Sequence, residues 1–207
     1  MFDRESSLWV GSFGAGVFRS IGLGDWEHWT ADEGLPSKIV WSMTRLPNPQ
    51  FWVATDGGTV ALGGMLPGMS AGTNYVAKAT RRGRLWTAPV GTELIRRDPA
   101  QDRVERFPSP GKVVTAEVDR DNQLWLGTSS GLFMMADADA AAPAARAELV
   151  LAHDTTLVKT DPAGVVWMLS PDGVFRRNVA GHFDLIVPPA LLKSAPIALT
   201  FSGDNDF

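Results

Sequence analysis

The chain has no cysteine, a single tyrosine and three histidines among 207 residues. Without cysteine there can be no disulfide framework and no thiolate metal site, and the redox compartment stays open. His28, His153 and His182 share no close ligand spacing, whereas zinc needs convergent ligands, so no metal and no cofactor is expected. No apolar run approaches the roughly 20 residues that span a bilayer. Met1-Phe2-Asp3-Arg4-Glu5 also lacks the basic-then-apolar order of a signal peptide, so a membrane is expected only through segments absent from these residues. The net charge is −4, and the basic residues are scattered or paired (Arg81-Arg82, Arg96-Arg97, Arg176-Arg177) with no long stripe, so nucleic acid is not the expected partner. The Gly-x-Ser-x-Gly nucleophile motif is missing. Gly14-Ala15-Gly16 and Asp56-Gly57-Gly58 do not run into a helix that could hold a phosphate, and they read as turns.

What is present is 21 glycines, 14 prolines and eight tryptophans, the mark of many short strands joined by tight turns. Self-similarity follows at once. Leu8-Trp9-Val10-Gly11-Ser12, Phe51-Trp52-Val53-Ala54-Thr55, Leu85-Trp86-Thr87-Ala88-Pro89, Leu124-Trp125-Leu126-Gly127-Thr128 and Val166-Trp167-Met168-Leu169-Ser170 each place a Trp after an apolar residue. The five tryptophans, at 9, 52, 86, 125 and 167, are 43, 34, 39 and 42 residues apart, close to the length of one four-stranded propeller blade.

The context repeats as well. Six positions before each Trp stand Asp3, Leu46, Thr80, Asp119 and Asp161, and three before it stand the turn formers Ser6, Pro49, Gly83, Asn122 and Gly164. Each unit therefore reads as an inner strand A (first complete at Ile39 to Thr44), a turn, strand B with the Trp, a glycine-bearing turn, strand C, and a variable strand D such as Asp25 to Thr30. The fold class is all-β, a β-propeller of four-stranded antiparallel blades with five repeat units, residues 1–207 forming one partial propeller domain. The repeat tryptophans, with Trp26 and Trp29, are assigned to the core. The recurring aspartates sit in different blades and are assigned to turn capping.

Trp29-Thr30-Ala31-Asp32-Glu33-Gly34-Leu35-Pro36-Ser37-Lys38-Ile39-Val40, followed by Phe51-Trp52-Val53-Ala54-Thr55-Asp56-Gly57-Gly58, resembles the two-component regulator propeller repeat. The resemblance implies a periplasmic or otherwise extracytoplasmic sensor region of a bacterial receptor whose output is a histidine kinase or a diguanylate cyclase. It departs from the repeat at Gly63 to Asn74, where a strand D should stand, and at Pro89, which replaces a hydroxyl residue. Residues 136–147 form an alanine-rich, low-complexity insertion between strands C and D of the fourth unit. Phe201 to Phe207 lines up with Phe2 to Leu8, as if a sixth unit were beginning. On that basis Ile197 to Phe201 is expected to supply an inner strand beside the Trp9 strand, either in the same chain or in a neighbouring one.

Strand order predicts that the B to C turns and the D to A connections share a face. That face collects Asp56, Glu93 and Asp172 from the turns, and Glu33, His153 and Asp154 from the connections, around inner-strand residues such as Trp41. Trp41, Asp56, Glu93, His153 and Asp172 are the candidate ligand-binding residues, with no catalytic residue among them. The expected function is non-catalytic sensing of an unidentified small molecule or oligosaccharide. Another protein or a second copy of the chain is an alternative partner. A lyase resembling streptogramin lyase is the enzymatic alternative, although its Gly-Asn-x-Ile-Gly-Arg pattern does not follow the Trp strands, and a structural interaction propeller is the third. The fold reading makes one spectroscopic prediction: circular dichroism should show strand signal with helix well below the roughly 30% of an average soluble domain.

Overall fold

A computed structural model describes all residues except 2, 4, 23, 48, 49, 63–69, 92, 142–145 and 202–207, and for Ser70 and Ala71 it describes the backbone only. Among the described residues, nineteen strands and one short 3-10 turn, Pro189–Leu191, account for the regular structure. The first sheet holds β1 (Trp9–Gly11), β2 (Val17–Ser20) and β3 (Trp26–Trp29). The second is β4 (Val40–Arg45), β5 (Phe51–Thr55), β6 (Gly58–Leu62) and β7 (Ser70–Ala71). The third is β8 (Asn74–Ala79), β9 (Leu85–Pro89), β10 (Glu93–Asp98) and β11 (Arg103–Pro108). The fourth is β12 (Val113–Val118), β13 (Leu124–Thr128), β14 (Gly131–Met135) and β15 (Glu148–Leu151), and the fifth is β16 (Leu157–Thr160), β17 (Val166–Ser170), β18 (Gly173–Arg177) and β19 (Phe183–Val187). Every pairing is antiparallel between neighbours in sequence, which is the blade order read from the repeat. The chain divides into two compact units, Met1–Val90 with Leu94–Glu105, and Gly91–Glu93 with Arg106–Phe207.

The turn before the Trp strand is built the same way from blade to blade. The residue six before the Trp receives and returns backbone bonds across it, as in Asp119 N to Gln123 O and Asn122 N to Asp119 O. The residue three before the Trp must adopt positive φ: Ser6 (61°), Gly83 (80°), Asn122 (62°) and Gly164 (87°) all do. This is why small or amide residues recur there. Pro49 lies outside the described residues.

The indoles then close the blades. Trp52 and Trp125 are completely buried, Trp86 and Trp9 nearly so. In three blades the indole Nε1–H donates to the turn aspartate: Trp9 to Asp3 at 2.8 Å, Trp125 to Asp119 at 2.8 Å and Trp167 to Asp161 at 2.9 Å. The other carboxylate oxygen accepts the amides of Ser7, Gln123 and Val165. Leu46 breaks the pattern in the second blade, and among the described residues the buried Trp52 Nε1 has no acceptor.

Each ring also lies under a guanidinium. Arg19, Arg96 and Arg176 stand opposite Trp9, Trp86 and Trp167 on the neighbouring strand, with the guanidinium carbon 5.2, 5.4 and 5.6 Å from the ring centre. Trp52 and Trp125 face Ala61 and Met134 instead. Their cover comes from the next blade, Arg97 at 5.9 Å and Arg177 at 4.9 Å. The Arg96-Arg97 and Arg176-Arg177 pairs thus serve two rings each, one in their own blade and one in the blade before.

Within the first unit, Trp9, Phe51 and Val53 pack in one buried cluster, and Trp52, Ala54, Ala77 and Leu85 in the next. Within the second, Trp125 packs on Val158, Val166, Met168 and Phe175. First strands are tied laterally by hydroxyls: Ser42 accepts from Ala77 N at 2.7 Å, Thr44 from Ala79 N at 3.2 Å and Thr115 from Val158 N at 3.3 Å. In the fourth blade the small residue two after the Trp is a packing requirement, since a Cβ on Gly127 would lie 2.4 Å from Thr115 Cγ2.

Three expectations need correction. Trp26 is half exposed, at 50%, because its edge position on β3 leaves it outside the cluster that holds Trp29. Trp167 is only half-buried. Residues 197–201 form no strand; they run beside β16, where Thr156 Oγ1 bonds Pro196 O, Lys159 Nζ bonds Leu199 O and Phe201 packs on Trp167. Residues 63–69, residues 202–207 and residues 142–145 of the alanine-rich insertion lie outside the described residues. The start of that insertion is packed, with Ala138 buried and Asn122 Nδ2 bonded to Asp137 and Asp139.

Three variants check the indole argument by urea unfolding. Trp125→Ala should cost about 3–5 kcal/mol as a large buried aromatic is removed. Trp125→Phe should cost about 1.5–3 kcal/mol more than Trp52→Phe, because only Trp125 gives up a hydrogen bond to a charged acceptor.

Candidate functional site

The connections that vary most between repeats meet in each unit. In the first, the β5–β6 turn reaches the connections on either side: Asp56 N donates to Ile39 O at 3.1 Å, and Thr73 Oγ1 donates to Asp56 Oδ1 at 3.1 Å. The turn has a hydroxyl support, Thr55 Oγ1 bonding Gly58 O at 2.7 Å. Thr128 and Ser170 brace the equivalent turns of the fourth and fifth blades. In the second unit, His153 from the β15–β16 connection meets Asp172 of the β17–β18 turn, Nδ1 to Oδ2 at 2.7 Å, with the imidazole over Phe175 at 5.0 Å. Each unit therefore has its B to C turns and D to A connections on one side.

Trp41 is placed by a bulge. Val40 pairs with Thr55 and Ser42 with Ala54, which leaves Trp41 as an extra residue on β4. The same insertion recurs on β8, where Asn74 pairs with Pro89 and Ala77 with Thr87, and on β12 between Val113 and Thr115. A bulge re-aims the side chain it adds. Trp41 is 40% exposed and sits between two further aromatics, Phe13 at 5.4 Å and Tyr75 at 4.8 Å, both close to perpendicular to it. Phe13 bridges Ile39, and its turn is clamped by Lys38 O, which accepts from Gly14 N and Gly16 N.

The remaining candidates fall as follows. Glu93 is the first residue of β10, so it lies in a strand where a turn was expected, and it pairs with Arg106 at 2.7 Å on the exposed surface. Glu33 closes its own connection by accepting from Thr30 N and Thr30 Oγ1. The Thr30 amide and hydroxyl hold the Glu33 carboxyl below its ordinary value. Trp41 and Asp56 belong to one unit, and Glu93, His153 and Asp172 to the other. The exposed Phe13 and the half-buried Tyr75 are the aromatic neighbours that sequence reasoning missed. An apolar residue inside a glycine turn was the available signal for Phe13.

The first unit also holds a cleft of about 390 Å³ lined by Asp3, Glu5, Trp9, Arg19, Arg45 and Phe51, with the pre-Trp turn on its rim. Its cations are already paired, Arg19 with Asp3 and Glu27, Arg45 with Glu5. Among the described residues no group of three His, Asp or Glu side chains converges as a metal site would require.

The chain can now be compared with known structures. The extracellular domain described as a hybrid two-component system of B. thetaiotaomicron superposes with a TM-score of 0.71 at 15% identity, over 91% of this chain and 29% of that one. A second such domain from the same organism gives 0.54 at 14% identity, covering 95% of this chain and 34% of that one. Virginiamycin B lyase from Staphylococcus aureus gives 0.66 at 12% identity, over 92% of this chain and 70% of the lyase. The fold is that of the β-propeller. The chain spans less than a third of the first of these structures, whose receptor type is the one the repeat resemblance implies. No family model matches the sequence, and no curated protein does.

The recurring carboxylates are structural. Burial alone would raise Asp3 and Asp161, but the indole N–H bonds, the turn amides and, for Asp3, the nearby Arg19 outweigh it, so both fall below the ordinary value of 3.8. Carboxyls with lowered folded values stabilise the fold above that ordinary value, and the contribution is lost as pH falls through the folded values. Acid titration of the urea midpoint should therefore show stability dropping below about pH 4. Asp161→Asn should be weaker at neutral pH and flatter in that window. An unchanged slope in this variant would assign the acid sensitivity elsewhere.

Proposed function

We propose that the chain is the ligand-sensing propeller segment of an extracytoplasmic bacterial receptor, acting by binding without catalysis. The carrying observation is the convergence, in each unit, of the two loop sets beside residues that the fold leaves exposed: Trp41 with Asp56 in one, His153 with Asp172 in the other. Elsewhere the polar groups of the repeat are engaged in holding it together, whereas these sit in solvent where a ligand can compete for them. Small ligands favour sites that combine apolar walls with a few placed polar groups. Glu93 extends the set on the second unit. The receptor-domain neighbours support the sensor reading, and the molecule proposed for it is a small molecule or an oligosaccharide.

A second reading is a lyase of the virginiamycin B type, favoured by that neighbour and by an imidazole bonded to a carboxylate, the arrangement of a general base with its orienting group. Incubation with a streptogramin B substrate and chromatography separates the two readings, since ring opening dependent on His153 would replace sensing by catalysis.

For a ligand found by thermal-shift screening, Trp41→Ala, Asp56→Ala and Asp172→Ala test the face by calorimetry. At least one is expected to weaken binding about tenfold or more with the melting temperature nearly unchanged, because surface pairs contribute only about 0–1 kcal/mol to stability. Glu5→Ala and Asp121→Ala, on the pre-Trp turns, should leave affinity intact. The reverse pattern would place binding on the other side.

A further inference from the structure

The structure points to a cation seat at the corner formed by Phe13, Trp41 and Tyr75, and we infer that it takes a methylated or quaternary ammonium group. The inference rests on the sensing side proposed above and adds a ligand class to it. Several aromatic rings of the described residues carry a guanidinium within 6 Å, among them Trp9 under Arg19, Phe51 under Arg45, Trp86 under Arg96, Trp52 under Arg97, Trp167 under Arg176 and Trp125 under Arg177. Cation on aromatic face is the recurrent contact of the fold. Among the described residues neither Phe13 nor Trp41 has such a guanidinium, yet Phe13 is 75% exposed and Trp41 40%.

Trp41 meets Phe13 at 75° and Tyr75 at 71°, so neighbouring ring faces stand nearly at right angles. Perpendicular faces bound a corner, and a corner surrounds a compact, weakly hydrated cation on more than one side, where a flat ligand would stack on one face alone. The corner is rigidly supported. Phe13 is fixed by its bridge to Ile39, and Trp41 by its bulge between Val40 and Ser42. Asp56 brings a carboxylate to the same connection, since its amide binds the carbonyl of Ile39. Exposing a Phe and a Trp side by side forfeits apolar burial that the rest of the repeat secures, and a bound ammonium recovers part of it.

The probe is choline against its uncharged isostere 3,3-dimethylbutan-1-ol, followed by calorimetry and tryptophan fluorescence on the full chain. Choline should bind saturably and at least about tenfold more tightly than the isostere, the ratio that one desolvated cation–π contact supports. Binding should be lost in Trp41→Ala and in Phe13→Ala, and kept in Trp26→Ala, which removes an exposed ring elsewhere. The exposure of Phe13 makes its variant safe to fold, and a circular dichroism spectrum matching wild type confirms it. Equal affinity for the isostere, no saturable binding, or binding unchanged in the Phe13 and Trp41 variants overturns the inference. A neutral ligand that depends on Trp41 would overturn the cation seat and leave the sensing reading standing. Choline binding at the corner, with the screened ligand instead lost in Glu5→Ala or Asp121→Ala and unaffected in Trp41→Ala, Asp56→Ala and Asp172→Ala, would keep the seat and overturn the sensing reading.

Discussion

A buried indole carries one N–H that must find an acceptor, and in this chain that requirement recurs with every blade. Where it is met by the turn aspartate, one carboxylate joins three things: the Trp ring, the amides of the tight turn, and the strand that follows. The turn cannot be formed without positioning the acceptor, and the Trp cannot be buried without the turn. Leaving such a group unpaired costs about 1–3 kcal/mol. The second blade, with Leu46 at the aspartate position, replaces the bond by apolar packing around Leu46 and Arg97 cover over the ring. Among the described residues its indole has no acceptor, so Trp52 has less to lose on conversion to Phe than a Trp bonded to a turn aspartate.

The arginines follow from the same requirement. A large ring packed between sheets presents one face that neither blade fills, and a guanidinium is flat enough to lie on it while its nitrogens reach the rim. Arg96 takes this furthest, almost wholly buried yet bonded to Glu105 by both Nε at 2.9 Å and Nη2 at 2.7 Å. The Arg96-Arg97 and Arg176-Arg177 pairs are therefore alternating members of a strand. The first turns to its own Trp and the second to the neighbour's, and neither is available for phosphate.

Much of this was legible because it is periodic. The Trp spacing, the turn former three positions before it and the aspartate six before it each appear in several copies, so blade order and turn positions follow from residues alone. Trp26 misled because aromatic identity does not reveal whether an edge strand has a neighbour to cover it. The segment 197–201 misled for a related reason, as alignment with the repeat assigns a strand only if a partner edge is there to pair with it. The bulges were invisible as well, since one extra residue in an apolar strand leaves no mark on composition. Those bulges decide which side chain of β4, β8 and β12 escapes the ladder.

Structure and site thus occupy opposite ends of the same strands. The pre-Trp turns are saturated with bonds that hold the blades, and a substitution there is felt as instability. The B to C turns are closed by a single hydroxyl and a glycine, which leaves neighbouring residues free of the fold's demands. Asp56, Asp172 and Phe13 all stand in such turns, and Trp41 and Tyr75 enter from bulges that end the regular ladder on that side. A repeat fold can vary the residues there from blade to blade without weakening its core. It follows that recognition should reside in the blade-specific differences at this end, in whatever one turn has that its four counterparts lack. By that criterion the exposed aromatic corner of the first unit and the His153–Asp172 pair of the second are, among the described residues, features that the architecture does not require.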